Sequence, residues 1–168
     1  ISETWSAAER GTMTREHRAD LARQVMAATA EREGQQRQQW AENAQRIAQL
    51  WAQCVPLRIA DPVTLYLKRR LGAALWPLPE CLRFHPALAY WHGAEKLGTF
   101  PAMVAPIVAP DGRTVSLHRT YLTGDGHKAD VPTVKKVTGA AGPLTGACID
   151  LHKPAHGVIG VAEGVETA

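Results

Sequence analysis

Cysteine is scarce in this sequence, with three residues at wide spacing in a chain of 168. An odd, widely spaced set does not make a disulfide framework, so we expect a reduced, cytoplasmic setting. Apolar runs last only a few residues, which argues against a membrane-spanning segment, and no basic-then-apolar leader supports secretion. A content of 45% hydrophobic and 21% charged residues is typical of a globular protein and excludes a disordered or fibrous one.

Proline, glycine and lysine are unevenly distributed along the chain. Residues 1–54 have no proline, no lysine and two glycines, and their seven arginines are balanced by seven acidic residues. Residues 55–136 have eleven basic and six acidic residues, a net charge of +5, while residues 137–168 have a net charge of −2. We therefore predict a helical region at 1–54 and a turn-rich, basic part behind it.

The front of the chain has the composition of an α-helix. From about Thr14 to Cys54 it is rich in good helix formers, and Gly34 is its weak point. We predict two helices hinged near Gly34, with one long helix as the alternative. The glutamine-rich stretch 35–39 is expected to be a solvated face. Behind it, apolar residues recur at three- and four-residue steps and form one stripe: Trp40, Ala44, Ile47, Leu50, Trp51 and Cys54. Its tryptophans could stack on nucleic-acid bases, but their phase favours a packing role.

A second helix is predicted directly after Asp61-Pro62, because aspartate is a preferred N-cap and proline a preferred first residue. It runs to Leu71, and Gly72 supplies the C-terminal stop. Its last turn carries three cations: Lys68, Arg69 and Arg70. These cations either complement the helix dipole or contact a phosphate backbone.

Two β-like runs, 102–108 and 114–122, are joined by a Pro-Asp-Gly turn at 110–112 and predict a hairpin. Alternation places Arg119 on the apolar face of the second run. An unpaired guanidinium is costly there, so Arg119 must find a carboxylate, a phosphate or the rim of the sheet. In residues 73–100 only Leu82-Arg83-Phe84 predicts a strand, and the remainder is expected to be mostly loop.

The chain beyond the hairpin carries more lysines in turn-rich sequence. Lys128, Lys135 and Lys136 each represent either a phosphate contact or part of a solvated loop. A loop follows, and two short strands are then predicted, at 147–151 and 158–162.

Two acidic residues, Glu163 and Glu166, lie near the end of the sequence. Glu163 directly follows the second of these strands and precedes a glycine, a position that often serves a site in α/β folds. Glu166 falls in the first turn of a helix that should begin at 165, where an acid needs no function. A strand, an acid and a helix start are the opening of a βαβ unit, so we expect the chain to be a piece of something longer.

Two Cys/His groupings have spacing that suggests zinc, Cys81-x-x-x-His85 and Cys148-x-x-x-His152-x-x-x-His156. Neither includes a Cys-x-x-Cys pair, and Pro154 argues against the helix that would align the second group. No zinc is therefore expected. The histidines form no nucleophile–base pattern with a serine, and no GxxxxGK[ST] occurs, so neither a hydrolase triad nor a helicase motor is supported.

Several segments, in their order from Thr64 to Ala168, resemble one known family. They are Tyr66-Leu67-Lys68-Arg69-Arg70, Pro101-Ala102-Met103 with the turn at 110–112, Leu117-His118-Arg119-Thr120-Tyr121-Leu122, Lys135-Lys136, and Gly-Val-Ala-Glu-Gly-Val-Glu-Thr-Ala at 160–168. Together they resemble the RNA-polymerase domain of bacterial and phage primases. The EGxETA ending is most similar to Toprim primase-like proteins of plasmids, prophages and integrative elements.

The resemblance implies an α+β fold in which a helical segment precedes a small mixed α/β subdomain of a primase core, at 55–156. A Toprim domain would begin at 157–168 and be truncated. The implied activity is that of a nucleotidyltransferase that makes RNA primers on single-stranded DNA during replication of a mobile genetic element. Implied partners are the DNA template, ribonucleoside triphosphates and a replicative helicase, without a membrane.

The resemblance also implies roles for single residues. Arg119 and Lys135 or Lys136 would contact template or nucleotide phosphates, with Lys128, Arg69 and Arg70 extending the basic surface. Glu163 would be catalytic, as a general base or as a ligand of Mg²⁺ or Mn²⁺, and Glu166 a weaker ligand. The family's later aspartates do not occur in this sequence, so the fragment alone is expected to be inactive.

Two other functions remain open at this point. One is a non-catalytic DNA-binding or docking module, in which the stripe of Trp40 and Trp51 meets a partner helix. The other is a Toprim-family nuclease, in which the same glutamate serves cleavage.

Overall fold

The structure is a computed structural model that describes residues 15–72, 77–151 and 160–165. The chain divides into two compact units, Ile1–Gln39 and Trp40–Ala168. The helices and strands in chain order are α1 (Arg15–Ala52), β1 (Val55–Pro56), α2 (Pro62–Leu71), β2 (Arg83–His92), β3 (Glu95–Val108), β4 (Thr114–Tyr121) and β5 (Lys135–Val137). The predicted α+β class, with a helix before a sheet, is confirmed.

α1 is one continuous helix of 38 residues that passes through Gly34. The predicted hinge is therefore wrong and the alternative of one long helix is right. A glycine costs a helix only about 1 kcal/mol relative to alanine, and the neighbours of Gly34 are strong helix formers. The glutamine-rich stretch 35–39 is exposed, as predicted.

The end of α1 packs on the sheet, within the second unit. Ile47 is buried there, with Leu50 and Trp51 partly buried beside it, so the packing role predicted for Trp51 is confirmed. The Arg83 guanidinium also lies 4.3 Å from the centre of the Trp51 ring. Cys54 is buried at the same place, and burial raises the pKa of its thiol to about 11 in spite of the nearby Arg83. That thiol therefore stays protonated and behaves as a small apolar side chain.

α2 has the bounds that the sequence predicts. The Asp61 carboxylate accepts a hydrogen bond of 2.7 Å from the Thr64 amide, which satisfies one of the free N–H groups at the helix start. Gly72 ends the helix in the left-handed conformation, with φ of 68°, and donates its N–H to the Lys68 carbonyl.

The five strands form one antiparallel sheet in the order β1-β2-β3-β4-β5. The predicted hairpin of β3 and β4 is confirmed. The predicted loop in residues 85–100 is wrong, because β2 continues to His92 and β3 begins at Glu95. Pro86 is accommodated at an irregularity in the pairing with β3, where its missing N–H breaks no regular ladder.

Helices cover both faces of this sheet. Ala102 and Val104 of β3 belong to a first buried cluster with Ile47 of α1, whereas Met103 and Ala105 belong to a second with α2. Successive residues of a strand point to opposite faces, so the end of α1 that belongs to the second unit and α2 lie on opposite sides of the sheet. The second cluster also includes Val63, Tyr66, Leu67, Leu82 and Leu122.

The last part of the chain is less regular than predicted. Instead of a strand at 147–151, a single bridge joins Cys148 to Val108. Residues 158 and 159 lie outside the described ranges, and residues 160–162 are not in a strand. These expectations relied on apolar composition, whereas a strand also needs a partner for its backbone hydrogen bonds.

Across the described ranges, no helix has the length and apolar character needed to cross a bilayer.

Candidate nucleic-acid interface

The predicted phosphate-binding residues lie in two groups. We call the first the β5 edge; it consists of Arg119 on β4 with Lys135 and Lys136 on β5. We call the second the α2 cleft, an open depression of about 470 Å³ between the end of α2 and the turn at 123–128, which follows β4. Its lining residues are Tyr66, Arg69, Arg70, Gly126, His127 and Lys128.

Arg119 is half-buried on the face of β4 that the sequence predicts. Its Nη2 donates to the Val137 carbonyl at 2.8 Å, and its Nη1 lies 3.5 Å from the Tyr121 hydroxyl. Its Nε is buried and has no hydrogen-bond partner among the described residues. The sequence allowed a carboxylate, a phosphate or the sheet rim as the partner of Arg119, and the described contacts support the rim. No carboxylate of the described residues forms an ion pair with its guanidinium.

Lys136 is the cross-strand neighbour of Arg119. Its ammonium lies 4.2 Å from the centre of the Tyr90 ring, a cation–π distance, and it donates a hydrogen bond to the Trp91 carbonyl. Lys135 pairs with Thr120 instead, so its side chain projects from the opposite face. The sequence predicts one phosphate-binding pair or a solvated loop at these two lysines. In strand β5 their side chains point to opposite faces of the sheet.

A cluster of aromatic rings supports the β5 edge. The rings of Tyr90 and Tyr121 meet edge-on with centres 4.9 Å apart, and Phe100 packs against both. The Tyr121 hydroxyl donates to the Ala89 carbonyl at 3.1 Å. Burial raises the pKa of Tyr121, an effect that Arg119 opposes, so the phenol stays neutral and does not neutralise Arg119. Sequence reasoning missed Tyr90, because it lies in the segment interpreted as loop.

In the α2 cleft the turn 123–128 packs closely against the helix. Arg69 donates through Nη1 to the Asp125 carbonyl at 2.6 Å, which ties the end of α2 to the turn. The Asp125 carboxylate lies beside the cleft, 3.5 Å from the His127 ring. A hydrogen bond from Thr123, together with His127 and Arg69, lowers the pKa of Asp125, which stays ionised. Arg70 and Lys128 are exposed on the cleft wall.

Glu163 is exposed in a bend, and Val165 beside it packs against the second buried cluster. Glu166, the weaker predicted ligand, lies outside the described residues. Within the described ranges, no three His, Cys, Asp or Glu side chains come together as a metal site would require. The Mg²⁺ or Mn²⁺ site that the primase resemblance implies at Glu163 therefore stays a prediction.

The residues considered for zinc have other environments where they are described. His85 is buried with its Nε2 3.2 Å from the Gln53 side-chain oxygen, and burial lowers its pKa. Cys81 is partly buried against the second cluster, and burial raises the pKa of its thiol. His152 and His156 lie outside the described residues.

Comparison with known proteins gives one family. The family described as Domain of unknown function (DUF7146) matches residues 41–149, about two thirds of the chain. No curated protein and no solved structure is similar enough to count as a match. The matched range starts one residue after the boundary between the two compact units and includes both the β5 edge and the α2 cleft. The chain belongs to the DUF7146 family.

Proposed function

We propose that this member of the DUF7146 family binds single-stranded DNA and nucleotide phosphates through the β5 edge and the α2 cleft, as part of a DNA primase. The observation that carries the proposal is a set of cations that form no ion pair with a described carboxylate, although the Asp125 carboxylate lies near enough to Arg69 for its pKa to be lowered. In the described part of the chain, no ion pair with a carboxylate involves Arg69, Arg70, Lys128, Arg119 or Lys136. The described ion pairs use other basic residues: Arg23, Arg37, Arg46, Arg113 and His127.

These cations suit phosphates for a physical reason. A positive side chain without an acidic partner retains its capacity to replace the counterions of a nucleic-acid backbone, which is the main source of non-specific affinity. At the β5 edge, backbone carbonyls hold Arg119 and Lys136 in place without neutralising them. These two side chains therefore lose part of their conformational entropy when the protein folds, so less of it is lost when a ligand binds.

The primase assignment is supported by the resemblance in sequence. The Tyr66–Arg70 segment, the hairpin at 110–112, the strand that carries Arg119, Lys135-Lys136 and the EGxETA ending follow one another in the order of the primase core. In that assignment the chain supplies the template- and nucleotide-binding surface, and Glu163 belongs to the catalytic domain that follows. Primer synthesis is nucleotidyl transfer, in which cationic side chains also offset the charge that grows on the phosphates in the transition state.

The docking alternative has less support. It required the stripe of Trp40 and Trp51 to meet a partner helix, but the Trp51 side chain packs against the first buried cluster and the Arg83 guanidinium. The Trp51 ring therefore already packs within this protein.

The binding proposal predicts a salt-dependent affinity. We expect the chain to bind labelled single-stranded DNA in fluorescence anisotropy, with log K falling by about 0.7 per log unit of salt for each phosphate contact. Replacing Arg69, Arg70 and Lys128 together by glutamine should lower the slope by about 2 and weaken binding at low salt by at least about tenfold.

The matched control removes the same charge elsewhere. The triple variant Arg23→Gln/Arg37→Gln/Arg113→Gln removes three exposed arginines that have acidic partners. We expect it to keep the parent slope. Equal slopes for both triple variants would show that net charge, and not the α2 cleft, determines binding.

The enzymatic part of the proposal is tested at Glu163 in the longest natural polypeptide that contains this chain. With ribonucleotides and a single-stranded template, we expect short new RNA, and we expect Glu163→Gln to abolish it. Because Glu163 is exposed, DNA affinity and thermal stability should stay unchanged. Loss of template without new RNA would favour the nuclease, and RNA synthesis by the Glu163→Gln variant would contradict the catalytic role of this acid.

A further inference from the structure

The tip of the hairpin formed by β2 and β3 displays a tryptophan to solvent. Trp91 is 51% exposed, and it is the one exposed Trp, Tyr or Phe side chain in the described part of the chain. Its neighbour Tyr90 is completely buried, and the pairing with β3 changes register between these two residues. Successive residues of a strand point to opposite faces, so the two adjacent rings lie in different environments, one in the core and one in solvent.

We propose that Trp91 is a stacking platform for a base of single-stranded nucleic acid; this inference rests on the proposed function and names a contact that the basic residues do not supply. Every base has a π-face, so stacking on an aromatic side chain adds affinity with little dependence on sequence. An exposed indole offers that contact on the same protein unit as the basic residues.

The backbone at Trp91 is held firmly. Its carbonyl accepts a hydrogen bond from the Lys136 ammonium, which also lies over the Tyr90 ring. Two residues, Gly93 and Ala94, close the hairpin, with Gly93 at a φ of 59°. A platform fixed by two strands loses little conformational entropy when a base stacks on it.

The charges around Trp91 favour a polyanion as its partner. Lys96 is the cross-strand neighbour of Trp91, so the two Cβ atoms are about 5 Å apart. Lys136 donates to the backbone carbonyl of Trp91, but with Arg119 it lies on the face of the Tyr90 ring, opposite to the Trp91 side chain. Glu95 is the acid of this hairpin, and it pairs with His92 at the tip. A stacked base would thus have Lys96 within reach of a flanking phosphate, as in single-strand binding grooves.

The test compares an ordinary oligonucleotide with one of equal length and charge whose central nucleotides lack bases. For the ordinary strand, we expect Trp91→Ala to weaken binding by about 5- to 100-fold and Trp91→Phe to restore most of the affinity. The salt slope should be unchanged by Trp91→Ala, because stacking displaces no counterion, whereas Lys96→Gln should lower it by about 0.7. On the abasic strand, the parent and Trp91→Ala should bind equally.

Leu97→Ala is the matched control, because it truncates another exposed apolar side chain of the same hairpin and should bind as the parent does. Three results would overturn the inference. If the parent binds DNA and Trp91→Ala binds equally well, the platform is wrong and the basic surface stands. If Trp91→Ala weakens both strands equally, its effect is not stacking. If the parent binds no single-stranded DNA at all, the proposed function fails and the platform fails with it.

Discussion

Gly126→Ala is expected to destabilise the protein by about 4 kcal/mol, measured as a shift in the midpoint of urea unfolding. A Cβ at this position would lie 2.6 Å from the Leu65 Cβ, 2.8 Å from the Tyr66 amide nitrogen and 2.9 Å from the Pro62 carbonyl oxygen. Two of these atoms belong to the backbone of α2 and cannot rotate away. The φ of +78° adds strain for any residue with a side chain.

Gly112→Ala separates the two causes. Gly112 has a similar φ of +83° in the turn between β3 and β4, but an added Cβ would have nothing within 4 Å. We therefore expect it to lose only about 1 kcal/mol, the cost of the backbone conformation. If the two variants unfold at the same urea concentration, the close approach of the turn to α2 does not contribute to stability.

Gly126→Ala should also affect DNA binding at the α2 cleft. Gly126 lines the α2 cleft, and the Arg69 side chain is fixed by the carbonyl of the adjacent Asp125. A displaced turn would release Arg69 and move Lys128. In the fraction that remains folded, the affinity for single-stranded DNA should therefore fall in Gly126→Ala and not in Gly112→Ala.

Local chemistry explains which elements could be predicted from the sequence. α2 depends on a capping carboxylate, a proline at its first position and a glycine after its last turn, and all three lie within twelve residues of one another. The turn at 110–112 is equally local, because the side chain of Asp111 bonds to the amide of Arg113. Such elements need no knowledge of the rest of the fold.

The elements that were missed depend on partners that are distant in sequence. β2 and the first half of β3 contain Pro86 and Gly98, which are turn signals in isolation, yet their pairing accommodates both. The short β5 exists because it pairs with β4, fifteen or more residues earlier in the chain. At Gly34 the local signal misleads, because one residue of low helix propensity predicts a hinge. The many good helix formers around it keep the long helix continuous.

In the candidate site, too, the positions of some residues follow from local sequence and those of others depend on distant strands. Alternation along β4 predicts the face of Arg119, and helix capping predicts where Arg69 and Arg70 lie. The separation of Lys135 from Lys136 could not be predicted, because it requires the strand and its register. Tyr90 and Trp91 were missed with β2, although two adjacent aromatic residues shortly before a glycine are a usable hairpin signal.

Tyr90 connects the fold to the β5 edge, and Tyr90→Ala is expected to remove about 4 kcal/mol of stability. The side chain is completely buried, and its ring packs edge-on against Tyr121 and Phe100. Its hydroxyl accepts a 3.0 Å hydrogen bond from the Thr133 amide, which holds the segment that leads into β5. Loss of the ring leaves a cavity and removes the surface under the Lys136 ammonium.

Tyr90→Phe separates the hydrogen bond from the ring. Because it keeps the aromatic packing and the face below Lys136, we expect a loss of only about 1 kcal/mol, from the Thr133 amide that loses its acceptor. DNA affinity and its salt slope should then match those of the parent. In Tyr90→Ala, at temperatures where the protein is still folded, Lys136 is no longer held and affinity should fall. Equal DNA binding by the two variants would show that Lys136 is positioned by its bond to the Trp91 carbonyl alone, so that the cation–π contact serves only the fold.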